Sequence, residues 1–160
     1  MRVGDILKLK LNPLFTVQPG QRLSDCVILM SDADLGSLPV LDQGQLVGLL
    51  TFREVINVLA QRQKELRRGP TPPVAELQVK HVMDPEPIVA SPQMDVRELR
   101  SLMVHHHQRY LPVVEATRLR GVVSFHDLAK AVHEEQNFEN RMLKTYIGDW
   151  PLDERTGSST

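Results

Sequence analysis

The sequence predicts a mixed α/β (α+β) fold made of two tandem copies of one small unit, and three observations carry that expectation. The first is an internal repeat. Moving the second half back by 73 positions sets Pro92 on Pro19, Leu111-Pro112-Val113 on Leu38-Pro39-Val40, Gly121 on Gly48 and Phe125 on Phe52. The second is that each copy carries the same signals in the same order, β-α-β-β-α, which implies small sheets covered by helices. The third is size. Each half, at roughly 60 residues, would bury only about 60% of its unfolded surface and be marginal alone, so the halves are expected to share a core. A period this long lies beyond the helical-repeat arrays, which makes the chain a duplicated small domain and not a solenoid.

Each copy opens on an extended apolar segment that runs into a turn, Leu14-Phe15-Thr16-Val17 before Gln18-Pro19-Gly20, and Pro87-Ile88-Val89-Ala90 before Ser91-Pro92. Helical spacing follows: Leu23, Cys26, Val27 and Met30 in the first copy, Val96, Leu99, Leu102 and Met103 in the second. A strand then passes through a proline, Leu38 to Leu41 or Leu111 to Val114. A polar turn (Asp42-Gln43-Gly44, or Glu115-Ala116-Thr117) leads to a second strand, Leu46 to Leu50 or Leu119 to Val123. A helix closes each copy, Phe52 to about Leu66 and Phe125 to about His133.

These signals place the first domain at 3–66 and the second at 79–133, joined by a linker over 67–78 whose Arg67-to-Pro73 stretch is too rich in proline for helix. A short amphipathic segment precedes each copy, Val3 to Leu7 and Val79 to Met83. After the second copy, Phe138, Met142, Leu143, Tyr146 and Ile147 form the apolar stripe of a C-terminal helix over 134–148, ending at Gly148. Residues 149–160 read as a disordered tail.

A formal charge of −1 supplies no electrostatic reason to expect a nucleic-acid partner. The one cysteine, Cys26, excludes an internal disulfide and fits a reducing compartment. No signal peptide is expected from Met1-Arg2-Val3-Gly4-Asp5, and the longest apolar run, Cys26 to Met30, is far short of the ~20 residues that span a bilayer. The expectation is a soluble cytoplasmic protein with no membrane partner.

The repeated unit resembles the CBS domain, and the chain resembles a stand-alone tandem CBS pair (a Bateman module). The resemblance lies in Thr16-Val17-x-Pro19, Gly36-Ser37-Leu38-Pro39-Val40 and Gly48-Leu49-Leu50-Thr51-Phe52-Arg53-Glu54. In the second copy it lies in Arg109-Tyr110-Leu111-Pro112-Val113 and Gly121-Val122-Val123-Ser124-Phe125-His126-Asp127, and it covers roughly residues 3 to 133. It implies two repeats packed as a pseudo-twofold pair. It also implies a sensor of adenosine-containing ligands: AMP, ADP, ATP, or in some members NAD or S-adenosylmethionine.

The motif to weigh is Gly-h-h-(Ser/Thr)-x-x-(Asp/Glu), where a strand becomes a helix. Free N–H groups and the positive dipole end of the helix suit a phosphate, and the hydroxyl of Thr51 or Ser124 adds a donor. The carboxylate one turn on, Glu54 or Asp127, can accept the hydroxyls of a ribose. Ser/Thr-x-x-Glu is also the capping box that closes a helix N-terminus. Thr51-x-x-Glu54 fits that box in its usual form, while Ser124-x-x-Asp127 fits it less well and carries the acid the family uses for ribose. The two sites are therefore expected to differ. The resemblance adds Val123, Ile88 and Val89 to the nucleotide-binding set and makes Arg109 a phosphate-binding base, where the first copy has Gly36. It implies that this position faces the site of the other repeat; the sequence leaves open whether Arg109 serves the Glu54 or the Asp127 cleft. Arg53 and His126, just before the acids, are within reach of phosphates.

His105-His106-His107 are consecutive, about 100° apart on a helix, and cannot chelate as i, i+4 pairs do; no metal site is expected. Cys26 lies on an apolar helical face as a buried thiol. No nucleophile motif such as Gly-x-Ser-x-Gly is present, so neither catalytic residues nor a catalytic cofactor are expected. The reading is a regulatory module that binds an adenine nucleotide as regulatory ligand between its repeats. Its expected partners are a second copy, as a homodimer, and an unidentified regulated protein. The alternative is a ligand-free dimerisation module.

Overall fold

The computed structural model describes residues 1–67, 69–70 and 73–148, which fall into two compact units divided after Phe125. In the first unit the elements run α1 (Val3–Leu9), α2 (Leu23–Asp32), β1 (Ser37–Asp42), β2 (Gln45–Thr51), α3 (Phe52–Leu66), two 3-10 turns (Val74–Glu76 and Val79–His81), α4 (Val96–His105), β3 (Tyr110–Glu115) and β4 (Arg118–Ser124). Helix α5 (Phe125–Gly148) follows. The stretch expected as two helices is thus one, because no Pro or Gly interrupts it before Gly148. The expected tail, 149–160, lies outside the described residues.

The strands form two antiparallel hairpins, β1 with β2 and β3 with β4, in registers that coincide at the repeat offset. Ser37 faces Thr51 in one and Tyr110 faces Ser124 in the other, with a bulge after Val40 and after Val113. The first turn is built by left-handed residues, Gln43 at φ 51° and Gly44 at φ 81°, the combination a two-residue hairpin requires.

The expected first strand of each copy is reduced to a single parallel bridge, Val17 to Val40 and Ala90 to Val113. Val17 donates to the Pro39 carbonyl (3.0 Å) and accepts from Leu41 (2.8 Å); Ala90 does the same with Pro112 (2.9 Å) and Val114 (2.8 Å). Extending the ladder backwards would need an N–H from Pro39 or Pro112, and extending it forwards one from Pro19 or Pro92. Proline has none. The repeated prolines therefore limit the third strand at both ends.

The segments that precede the copies are exchanged. Val3 and Gly4 donate to Met94 and Pro92 of the second copy (both 2.9 Å), whereas Val79 and Lys80 donate to Gln21 (2.8 Å) and Pro19 (3.0 Å) of the first. The repeated glycines make room for these segments. A Cβ on Gly48 would lie 2.4 Å from the Met83 sulfur and 2.9 Å from the Asp84 carbonyl, and one on Gly121 would lie 3.1 Å from Leu7.

The first copy's core follows from this exchange: Val17, Leu23, Cys26, Met30, Leu38, Val40 and Leu50 are completed by Val79. The mirrored residues of the second copy, Ala90, Val96, Leu99, Met103, Leu111, Val113 and Val123, are buried too, as is Val3. Burial, helped by neighbouring Asp25, pushes the Cys26 thiol up to about 11, so it stays neutral as a small apolar core group. Helix α3 has no fully buried residue. Val55 and Val58 lean on the core while Phe52, Ile56 and Leu59 stay at least half exposed. In the second unit, α5 buries Leu128 and Ala131 and exposes Phe138, Met142, Leu143 and Tyr146.

Candidate functional site

A cleft of about 270 Å3 opens where the two copies meet within the first unit. Thr51, Phe52, Arg53, Ile56 and Asn57 line it from the β2–α3 junction, and Gln108, Arg109 and Tyr110 line it from the entrance to β3. The chain leaves β2 at Thr51 in an extended conformation and enters α3 at once, which turns the helix start and its side chains toward the incoming β3.

Thr51 and Glu54 form a complete capping box. The Thr51 N–H and hydroxyl both donate to one carboxylate oxygen, Oε1 of Glu54 (3.0 and 2.9 Å), and the Arg53 N–H donates to the Thr51 hydroxyl (3.2 Å). Partial burial raises the Glu54 carboxyl above its usual range; the Thr51 bonds pull it down, and nearby Asp84 adds a smaller upward push. Of the two roles open to Glu54, the geometry displays the cap, and Glu54 does not line the cleft.

The cleft's charge comes from two guanidiniums. Arg53, from the second position of α3, reaches across to donate to the carbonyl of His107. Arg109 is exposed beside it and makes no side-chain hydrogen bond or ion pair among the described residues. Arg109 lines the cleft together with Thr51 and Arg53. Its first-copy counterpart is Gly36, where an added Cβ would collide with the Tyr110 hydroxyl unless that ring moved.

The remaining expected residues do not line this cleft. Val123 is fully buried, so only its backbone is available. Ser124 closes β4 opposite Tyr110 and is half-buried, as are Asp127 in the first turn of α5 and Ile88; His126 and Val89 are exposed. Sequence reasoning passed over Asn57, Gln108, Phe52 and Ile56. The signal for Asn57 was available, since it stands one helical turn beyond Arg53 and shares its face.

The histidine run ends a helix. His105 is the last residue of α4, His106 its cap, and His107 adopts the left-handed conformation (φ 53°), while Gln108 donates back to Met103 (2.9 Å). No group of three or more metal-ligating side chains occurs among the described residues. A larger groove of about 550 Å3 lies between α1 and the Pro92–Gln93 turn. Its Glu115 is engaged by Gln93 (2.8 Å) and Arg120 (3.7 Å), and acids and bases alternate along it.

A family model for the CBS domain matches residues 3–61 and again residues 79–134. The chain belongs to the CBS-domain family. The CBS domain-containing protein YhcV of Bacillus subtilis is 36% identical over 115 residues, which span 71% of this chain and 75% of YhcV. Two solved CBS structures share the fold. CBSX2, in complex with AMP, is 24% identical with a TM-score of 0.68, over 84% of this chain and 98% of that one. The CBS domain pair of protein MJ0100, in complex with 5-methylthioadenosine and S-adenosyl-L-methionine, is 21% identical with a TM-score of 0.69, over 84% and 98%. In this CBS pair the two family-model segments are the two halves of the repeat, and the 270 Å3 cleft lies between them. No helix among the described residues is long and apolar enough to cross a membrane.

Proposed function

We propose that this CBS pair is a regulatory module that binds an adenosine-containing nucleotide in the cleft between its repeats and passes occupancy on as a change of shape or assembly. The observation that carries this reading is the convergence of Arg53 and Arg109, one from each copy, on a cleft that also receives the N-terminal turn of α3. Two guanidiniums suit a phosphate chain. Asn57 and Gln108 supply neutral polar groups for the rest of the ligand. We assign Asp127, in the Ser124-x-x-Asp127 motif, to ribose recognition at the second copy's own motif and not in this cleft, whereas Glu54 is engaged as a cap. The ligands of CBSX2 and MJ0100, AMP and S-adenosyl-L-methionine with 5-methylthioadenosine, are of the proposed class.

The ligand-free dimerisation module is favoured by one separate observation, the exposed apolar face of α3. A thermal-shift panel of AMP, ADP, ATP, NAD and S-adenosylmethionine decides between the two. A ligand at 100 times its dissociation constant adds about 2.7 kcal/mol to stability, which raises Tm by about 5–10 °C in a chain of this size. Flat curves for all five would leave dimerisation as the function.

A further inference from the structure

We propose that Arg53 is a latch between the two repeats, closed here on the His107 carbonyl and opened when the anionic group of a ligand takes its guanidinium. The inference rests on the nucleotide reading above and adds how occupancy would leave the cleft.

Arg53 belongs to the first copy and His107, 54 positions later, to the second, so their hydrogen bond ties α3 to the corner between α4 and β3. That corner is a helix ending of the same form as the first copy's, where Asp34 stands at φ 52°. His107 holds a left-handed conformation that an L-residue keeps only where its surroundings favour it. Gln108 donates to Met103 (2.9 Å) and His107 to Val104 (3.3 Å), as Leu35 does to Met30 (2.8 Å) and Asp34 to Ser31 (3.4 Å) in the first copy. Among the described residues, only the second corner accepts a side-chain hydrogen bond from the opposite repeat. Beyond it, the Tyr110 hydroxyl is seated over Gly36, where an added Cβ would collide with the Tyr110 ring. The corner is thus pinned at residue 110 by packing and at residue 107 by Arg53, with Gln108 and Arg109 carried into the cleft between the pins.

A peptide carbonyl is a neutral acceptor, and a phosphate is a charged one that forms the stronger bond to a guanidinium. Arg109, with no competing partner, would draw the anion in, and the anion would then compete with the His107 carbonyl for Arg53. Once Arg53 turns to the anion, the tie at residue 107 is cut while the seat at residue 110 holds. Residues 106–109 then loosen as a hinge. The same exchange reorients the first turn of α3, whose exposed Phe52 and Ile56 flank Arg53 on the cleft. Occupancy would therefore be reported at both the corner and the apolar helix face.

Hydrogen–deuterium exchange on the full chain tests this through the amides of His106, His107 and Gln108. Without nucleotide, Arg53→Ala should exchange them about threefold or more faster than wild type. AMP should speed them in wild type, adenosine should not, and AMP should add nothing in Arg53→Ala. Unchanged exchange in the variant overturns the latch whether or not AMP binds. Slower exchange with AMP in wild type overturns the release. Calorimetry run in parallel separates the two readings: no heat from AMP sinks the nucleotide assignment and the release with it, and the variant alone still judges the latch.

Discussion

Glu54 offers a direct test of whether the first motif closes a helix or holds a ligand. In Glu54→Ala, the Thr51 N–H and hydroxyl both lose their acceptor, Oε1. Hydrogen bonds to a charged group are worth about 1.5–3 kcal/mol each when nothing replaces them. Here Thr51 is half-buried, so water replaces part of the loss, and capping substitutions typically cost about 0.5–2 kcal/mol. We expect a loss of about 1–2 kcal/mol, which moves the urea midpoint down by about 1 M at an m-value of about 1–2 kcal/mol/M. Glu54→Gln retains a capping-box acceptor and should lie near wild type at pH 7. The pH dependence has a definite sign. A carboxyl whose folded pKa is raised contributes stability below its unfolded value, about 4.3 for Glu, and loses it as pH rises through the folded value. Because burial raises Glu54, wild type should gain on the non-titrating Gln variant as pH falls from 7 to about 4. Urea melts followed by circular dichroism, with AMP titrations on the same samples, read both roles. An unchanged midpoint in Glu54→Ala together with lost AMP affinity would refute the cap and restore Glu54 to the ligand.

Arg109→Ala should weaken AMP binding about tenfold or more by calorimetry and flatten its dependence on salt, with adenosine little changed; equal losses for nucleotide and nucleoside would mean that Arg109 acts through structure. Gly48→Ala, whose Cβ would lie 2.4 Å from the Met83 sulfur and 2.9 Å from the Asp84 carbonyl, should cost about 1–3 kcal/mol in urea melts. Gly44→Ala meets no neighbour and suffers only from its φ of 81°, so it should cost about 1 kcal/mol; parity between the two glycines would argue against the exchanged segment as the reason for Gly48. Ile56→Glu, on the exposed face of α3, should leave the melt intact and convert a dimer to a monomer in sedimentation, and a wild type already monomeric at tens of micromolar would dismiss the homodimer.

The repeat made much of this fold legible. Leu38-Pro39-Val40 and Leu111-Pro112-Val113 stand at matching places in two hairpins of matching register, because strand pairing between near neighbours depends on local pattern and turn length. The capping box was legible for the same reason, since its three bonds join residues at most three apart. The single bridges at Val17 and Ala90 were also encoded, in prolines whose missing N–H groups face the ladder, although apolar spacing alone reads as a strand.

What the tertiary structure alone decided is where distant segments go. Nothing local to Val3 or Val79 says that each completes the opposite copy; both copies offer nearly equivalent apolar seats, and the choice follows from how the whole chain closes around them. The composition of the cleft has the same origin. Arg53 and Arg109 are 56 positions apart by their numbering, and the packing of α3 against the entrance to β3 is what makes them neighbours. Gly36 supplies the last step: a residue without a side chain leaves the room that Tyr110 fills, and so decides on which side of the pair the spare guanidinium stands. Periodicity and turn chemistry act over a few residues and are written in order along the chain, whereas a seat for a distant side chain exists only once both walls of it have folded.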